Sequence, residues 1–246
     1  MTNEAATQKK NPNKTSLVLR GIAVGLLLGT CISVVPICGI RRTHQLVLNE
    51  PTQSIMFIEW VLASAITCGA LLPKLIAGDP RLPKFEEVKN KPKRLAMQLA
   101  KPLCAVLFLL LYFAACGLCQ RLNMGVFTAD STALHTARYI GLAIATVGLT
   151  IQVMSITTAL KDNATESSYN KPGIFQLRHP CFFAALVTLS GIPLVLGTWY
   201  PLFAIPGIFV ALKWIITEHE RALIEKNEAV YQQLQSQTRR LIPLLY

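Results

Sequence analysis

The sequence predicts an all-α fold: a polytopic membrane protein with about six transmembrane helices and a C-terminal amphipathic helix. Three observations carry this reading. Only 15% of the 246 residues are charged, against roughly 25% in a soluble domain. Hydrophobic residues make up 52% of the chain, and mean hydropathy is +0.43. Several apolar runs approach the ~20 residues a helix needs to cross ~30 Å of hydrocarbon. The net charge of +11 is then not a nucleic-acid signal. The basic residues gather in a few loops and tails, as they do on the cytosolic side of membrane proteins, and no basic–aromatic pattern marks a nucleic-acid surface.

Residues 1–15 form a polar tail with Lys9, Lys10 and Lys14, expected in the cytosol. The first apolar run, Ser16 to Ile40, is longer than the 7–15 residues of a signal-peptide core and is expected to stay as a helix. Arg20 snorkels at its start, and Pro36 is expected to kink its far end. The second run, Ile55 to Ile76, carries Glu59 and Trp60 one turn inside. The favoured reading is interfacial, with Trp60 in the aromatic belt and Glu59 reaching headgroups or a partner helix. The alternative places Glu59 in a substrate cavity, because carboxylates inside spans are often functional. Residues 78–101 set Arg81, Lys84, Lys89, Lys91, Lys93, Arg94 and Lys101 against Asp79, Glu86 and Glu87. Such a loop suits an anionic lipid surface.

The third run spans Pro102 to Cys119 and the fourth Ala137 to Leu160. Gly141 and Gly148 lie seven residues apart on one helix face, where small residues let helices approach closely. Gln152 is the deepest polar residue of that helix. It reads first as an interhelical hydrogen-bonding group and second as the lining of a cofactor cleft. After a polar loop at 161–177, an apolar hairpin runs from Cys181 to Ile216 and turns at Gly197-Thr198-Trp199-Tyr200-Pro201. Residues 218–236 read as one amphipathic helix with Leu223, Val230 and Leu234 as its apolar stripe. Lys and Arg favour the N-tail, 78–101, 161–180 and the C-tail on the cytosolic side, so both termini are expected there. The Asn13 and Asn163 sequons then face the cytosol and are expected to be unmodified.

Six of the seven cysteines, all but Cys181, fall inside apolar runs. Cys116 and Cys119 have Cys-x-x-Cys spacing, but no second pair or suitably spaced His completes a metal site, and packing is the favoured role. No phosphate-binding Gly loop, Ser-His-Asp set or His-Glu-x-x-His motif is present. Chemistry is concentrated in one place. Arg178-His179-Pro180 opens the hairpin, and Glu218-His219-Glu220 follows it. Antiparallel arms return both ends to one membrane side, so Arg178 and His179 are expected to face Glu218 and Glu220. Charged groups there belong at the water-facing edge.

These residues also carry a resemblance. Gly173-Ile174-Phe175, Arg178-His179-Pro180, the apolar hairpin, Glu218-His219-Glu220-Arg221-Ala222-Leu223, Tyr231 and Pro243 follow one order. It is similar to the isoprenylcysteine carboxyl methyltransferase and phospholipid methyltransferase superfamily of integral membrane enzymes. The similarity covers about residues 140–243. Four positions depart from the family pattern. Phe175 and Phe182 replace Tyr, which keeps ring bulk without a hydroxyl; Ala184 replaces Gly, and His219 replaces the first Glu of a pair. The resemblance implies transfer of a methyl group from S-adenosylmethionine to a lipidic acceptor at the cytosolic face. The favoured acceptor is the carboxylate of an isoprenylated cysteine or another isoprenoid acid, free or on a prenylated protein. In a eukaryote the enzyme would lie in the endoplasmic reticulum membrane. On this reading 1–15 is a cytosolic tail, 16–136 holds N-terminal transmembrane helices and the basic loop, and 137–246 is the methyltransferase-like region with the cofactor site. Arg178, His179 and Glu220 would be catalytic. Gln152, Gly173, Phe175, Arg178, His179, Pro180, Phe182, Glu218 and Glu220 would bind cofactor, and no metal is implied. Arg178 can fork onto the cofactor carboxylate, and Glu220 can accept from ribose hydroxyls or the amino group. Three alternatives stay open: phospholipid N-methylation, an NADPH-dependent membrane sterol or steroid reductase, and a non-enzymatic membrane protein whose polar groups only anchor it.

Overall fold

The computed structural model describes residues 14–41, 50–76, 92–127, 132–161, 177–224 and 228–241. Seven α-helices account for most of them: α1 (Lys14–Arg41), α2 (Pro51–Ile76), α3 (Pro92–Arg121), α4 (Thr132–Lys161), α5 (Pro180–Val195), α6 (Ile205–Ile224) and α7 (Glu228–Gln237), with a 3₁₀ turn at Tyr200–Ala204 before α6. Among the described residues, four stretches are long and apolar enough to cross a membrane: Thr15–Ser33, Pro51–Lys74, Thr132–Thr158 and Tyr200–Glu218. The apolar parts of α3 (Val106–Arg121) and α5 (Pro180–Val195) are shorter. Sixteen residues of α5 rise about 24 Å, less than the ~30 Å core. Side chains such as Leu27, Leu111, Val147 and Trp214 are apolar and exposed. In water that coat would be a liability; hydrocarbon is its natural solvent.

Small residues decide which helices pair. Along α1, Gly21, Gly25 and Gly29 recur every four residues and meet α2. A Cβ on Gly25 would fall 2.6 Å from the Ala65 Cα, and one on Gly29 3.1 Å from the Val61 Cα. The expected Gly141–Gly148 face does the same for α4 against α5. A Cβ on Gly141 would lie 2.7 Å from the Val195 nitrogen, and one on Gly148 2.6 Å from the Thr188 nitrogen. Gly191 of α5 completes the seam against Ala145. Packing is thus most extensive between α1 and α2 and between α4 and α5, while α3 lies on α1 and α2 on α4. The shared core gathers Met56, Phe57, Tyr112, Phe113, Ala145, Leu189, Ile192 and Ile208.

Several polar groups inside this core satisfy backbone atoms or one another, while Thr52 Oγ1 and Trp60 Nε1 are buried without a hydrogen-bond partner among the described residues. Pro193 lies inside α5 and has no N–H to offer the Leu189 carbonyl four residues earlier. The buried Tyr112 hydroxyl donates to that carbonyl at 2.7 Å. Gln53 donates to the Val195 carbonyl at the end of α5, at 3.5 Å. Glu59 accepts from Thr146 of α4 at 2.7 Å, so it reaches a partner helix. Trp60 packs edge-on against Phe113, centroids 5.3 Å apart. Both lie further from the helix start than expected, because α2 starts at Pro51 and not at Ile55.

Other boundaries also move. The fourth helix begins at Thr132, ahead of Ala137, and α3 begins at Pro92, within the stretch expected to be a loop. Residues 78–91 of that stretch, like Asn13 and Asn163, lie outside the described residues. The single amphipathic helix expected over 218–236 is two. Residues up to Ile224 continue α6, and α7 is separate. The cause is that α6 keeps one inward stripe, Ile208, Leu212, Ile216 and Glu220, in steps of four from membrane to surface.

The hairpin turn is tied down. Gly197, at φ +75°, adopts a left-handed conformation open to glycine at little cost. Trp199 N–H donates to the Gly125 carbonyl and Phe127 N–H to the Gly197 carbonyl, pairing the turn with the end of α3. Arg138, whose guanidinium lies beside Gly197, bonds Glu50 at 2.7 Å.

Candidate functional site

The site forms where the two ends of the α5–α6 hairpin meet. Pro180 occupies the first turn of α5, where its missing N–H costs nothing. It also holds His179 out of the helical region, at φ −125° and ψ 59°. His179 is the N-cap residue, but its side chain does not cap the helix. The ring turns instead to α6: Nε2 lies 3.2 Å from Glu220 Oε1, a spacing at which an Nε2–H donates to the carboxylate. Arg178 Nε lies 3.4 Å from the same oxygen. Both His179 and Glu220 are buried.

A second cation comes from beyond α7. Leu177 forms a parallel bridge with Arg239, and Arg178 N–H donates to the Arg239 carbonyl at 2.8 Å. This pairing delivers Arg240 to the carboxylate. Its Nη2 lies 2.8 Å from Glu220 Oε2 and donates to Thr217 Oγ1 at 2.7 Å. Thr217 is three residues before Glu220, on the same helical face. Tyr231 of α7 is 5% exposed. Its hydroxyl stands near enough to Glu220 to feel the charge, without completing a hydrogen bond.

These neighbours set the protonation states. Burial pulls the Glu220 carboxyl upward, but the His179 hydrogen bond, the charges of Arg178 and Arg240 and the Tyr231 hydroxyl together outweigh it, leaving the group below its ordinary 4.5. Burial, and then the negative charge of Glu220, push the Tyr231 phenol well up. Glu220 is therefore an ionised anchor and acceptor, too weak a base to take protons at neutral pH. Arg240 Nε and the Tyr231 hydroxyl are buried without a close hydrogen bond among the described residues, and Arg178 Nε meets Glu220 Oε1 at a long 3.4 Å.

The expected residues divide. Arg178, His179 and Glu220 come together. Pro180 shapes the approach, and the Phe182 ring lies 5.9 Å from that of His179, tilted by 53°. Glu218 does not join them. Two residues along a helix turn the chain about 200°, so Glu218 and Glu220 cannot share a face, and Glu218 pairs with Arg221 at 2.9 Å on the exposed side. Gln152 is half-buried on α4, between Gly148, which meets Ala184 and Thr188, and Ser155, whose hydroxyl donates to the Ile151 carbonyl at 2.6 Å. Among the described residues it makes no hydrogen bond to the cluster. Gly173 and Phe175 lie outside the described residues, as does the side chain of His219.

Arg240, Thr217 and Tyr231 are additions to the expected set. Thr217 was legible as a same-face neighbour of Glu220. Tyr231 had a place in the residue order but no role. Arg240 had no signal beyond its basic neighbour. No family model, curated protein or solved structure matches the chain.

Proposed function

We propose that the protein transfers a methyl group from S-adenosylmethionine to a lipidic acceptor at the cytosolic membrane face, with the carboxylate of an isoprenylated cysteine or other isoprenoid acid as the favoured acceptor. One observation carries this reading: the adjacent Arg178 and His179 meet Glu220, 41 residues further along the chain than His179, at the open end of an apolar hairpin. The donor set suits a ligand with a carboxylate at one end and an apolar body. S-adenosylmethionine would supply an electrophilic methyl group on a cationic sulfur. Arg178 would bind its carboxylate in a fork. Glu220, kept ionised, would accept hydrogen bonds and add negative charge. His179 would fix the orientation of Glu220, and Phe182 would supply an apolar wall. A carboxylate acceptor needs no general base; the residues need only hold the two reactants in line and keep water away. The remaining two of six spans, α3 and α5, would complete the bundle, with both termini cytosolic.

A second reading has its own observation. Glu220 already has three cationic or hydrogen-bonding partners, so the cluster could be only a clasp joining α5, α6 and the segment after α7. The deciding experiment is transfer of a labelled methyl group by the purified full chain to a prenylcysteine analogue, phosphatidylethanolamine and a total lipid extract. Base-labile label in the prenylcysteine supports the proposal. Label only in phosphatidylethanolamine moves the acceptor to an amine. Arg178→Ala should abolish transfer while the protein still inserts. No label, with no binding of S-adenosylhomocysteine, would refute the proposal in favour of the clasp or, with NADPH binding, of a reductase.

A further inference from the structure

The mouth of the hairpin is shut. His179, Glu220 and Tyr231 are buried, and the Arg178 side chain is 12% exposed. A carboxylate offers about four acceptor positions, and four donors already stand at Glu220. His179 Nε2 and Arg178 Nε approach Oε1, Arg240 Nη2 binds Oε2, and the Tyr231 hydroxyl is set against the group. A ligand that uses Glu220 as an acceptor therefore has to displace a donor that the protein now supplies. Two of the four are held by the frame of the molecule. Pro180 restricts the backbone of His179, and α5 behind it is packed along α4 through Gly141, Gly148 and Gly191. The other two, Tyr231 and Arg240, belong to residues 228–241. That segment is tied to the other elements by the Arg178 N–H to Arg239 carbonyl bond and by the bonds of Arg240 to Glu220 and Thr217. Bonds such as Thr238 to the Leu234 carbonyl stay within it. Its α7 has 10 residues, fewer than the ~12–15 at which a lone helix becomes even marginal in water, so α7 keeps its shape only while docked.

We infer that residues 228–241 form a strap, latched by Arg240, that swings off the hairpin mouth to admit a ligand to Arg178, His179 and Glu220 and closes again to keep water out. Admission of a ligand rests on the methyl-transfer reading; the separate opening of the strap does not. Opening frees the Arg178 N–H and Glu220 Oε2 in one movement, because their partners Arg239 and Arg240 are adjacent. Closing returns Tyr231, Thr238 and Leu241 to buried positions, and their burial is what draws the strap back. The opposing case is a permanent clasp, which lets go only when the bundle around α5 unfolds.

The test is amide hydrogen exchange on the full chain in neutral detergent micelles, read residue by residue. The reporter is the Arg178 amide, whose partner is the Arg239 carbonyl of the strap. Separate opening predicts that Arg178 exchanges together with the amides of α7, and about 100-fold or more faster than the interior of α5. Arg240→Gln removes a charge-assisted latch and should speed Arg178 and α7 by about tenfold or more, with α5 unchanged. Arg240→Lys keeps the charge without the fork and should fall between. Arg178 exchange as slow as that of α5 in the wild-type chain overturns the strap, so a poorly folding variant does not block the test. Acceleration of α5 and α7 alike in Arg240→Gln overturns Arg240 as the latch. A second measurement, the association rate of S-adenosylhomocysteine, asks whether entry passes under the strap. A rate about tenfold higher in Arg240→Gln supports that route; an unchanged rate with binding intact overturns it. No binding by either protein removes the methyl-transfer reading, and fast exchange at Arg178 then still supports the strap.

Discussion

Tyr112→Phe isolates one hydrogen bond whose need arises from a proline. In α5 the Leu189 carbonyl would ordinarily accept from residue 193, but that residue is Pro193, and the Tyr112 hydroxyl donates to it instead at 2.7 Å. Both Tyr112 and Leu189 are buried, at 5% exposure each, so water cannot replace the donor. Hydrogen bonds inside membrane bundles average about 0.6 kcal/mol and reach about 1.7; leaving a buried acceptor unsatisfied costs about 1–3 kcal/mol. The orphaned carbonyl puts this case at the upper end, about 1.5 kcal/mol. The proline supplies an internal control. In a Pro193→Ala background the new N–H takes the Leu189 carbonyl, and Tyr112→Phe should cost under about 0.5 kcal/mol. Unfolding of the four proteins in micelles of rising SDS content, followed by tryptophan fluorescence, gives a coupling energy of about 1 kcal/mol. Equal costs in the two backgrounds would refute the idea that Tyr112 substitutes for the missing N–H.

The other predictions concern the site and the seams. Because the Glu220 carboxyl is lowered in the folded state, its stabilisation is complete above its ordinary value of 4.5 and is lost as pH falls below it. Glu220→Gln should therefore destabilise by about 3–5 kcal/mol at neutral pH, and thermal unfolding of the two proteins should converge as pH drops below about 4.5; a gap that widens in acid would contradict the assignment. Gly148→Val drives side-chain atoms into the Thr188 nitrogen and Ala184 carbonyl and should cost about 1–3 kcal/mol, while Gly207→Ala, with open space around it, should be within about 0.5 kcal/mol of wild type; comparable losses at both would deny that α4 and α5 touch there. Glu218→Gln breaks only an exposed pair, so it should cost under about 1 kcal/mol and leave binding at the Glu220 cluster unaltered by calorimetry.

Helices were the most legible part of the fold because their apolar runs are set by composition, which needs no knowledge of neighbours. Their ends were less so: α2 gains Pro51–Ser54 because Thr52 and Gln53 are buried in spite of being polar, which depends on the Val195 carbonyl far along the chain. The Gly141–Gly148 seam was readable from spacing, and the α1 stripe of Gly21, Gly25 and Gly29 was open to the same reasoning. The meeting of His179 with Glu220 followed from a hairpin with one turn. The pairing of Glu218 failed on helical period, which sets it on the opposite face from Glu220. Arg240 was illegible because its place is fixed by two backbone contacts between Leu177–Arg178 and Arg239, and backbone pairing leaves no mark on side-chain pattern.

That backbone pairing also orders events during synthesis. The ribosome delivers Arg178, His179 and Glu220 before α7 and Arg240 exist. A released chain that ends between α6 and residue 240 therefore holds a carboxylate supported from the α5 side alone, with Thr217 and Glu220 Oε2 lacking the guanidinium that joins them. A nonsense or frameshift change between the end of α6 and Arg240 would leave the chain in that half-clasped form with α1–α6 intact, so loss of a short polar segment would resemble loss of the site itself.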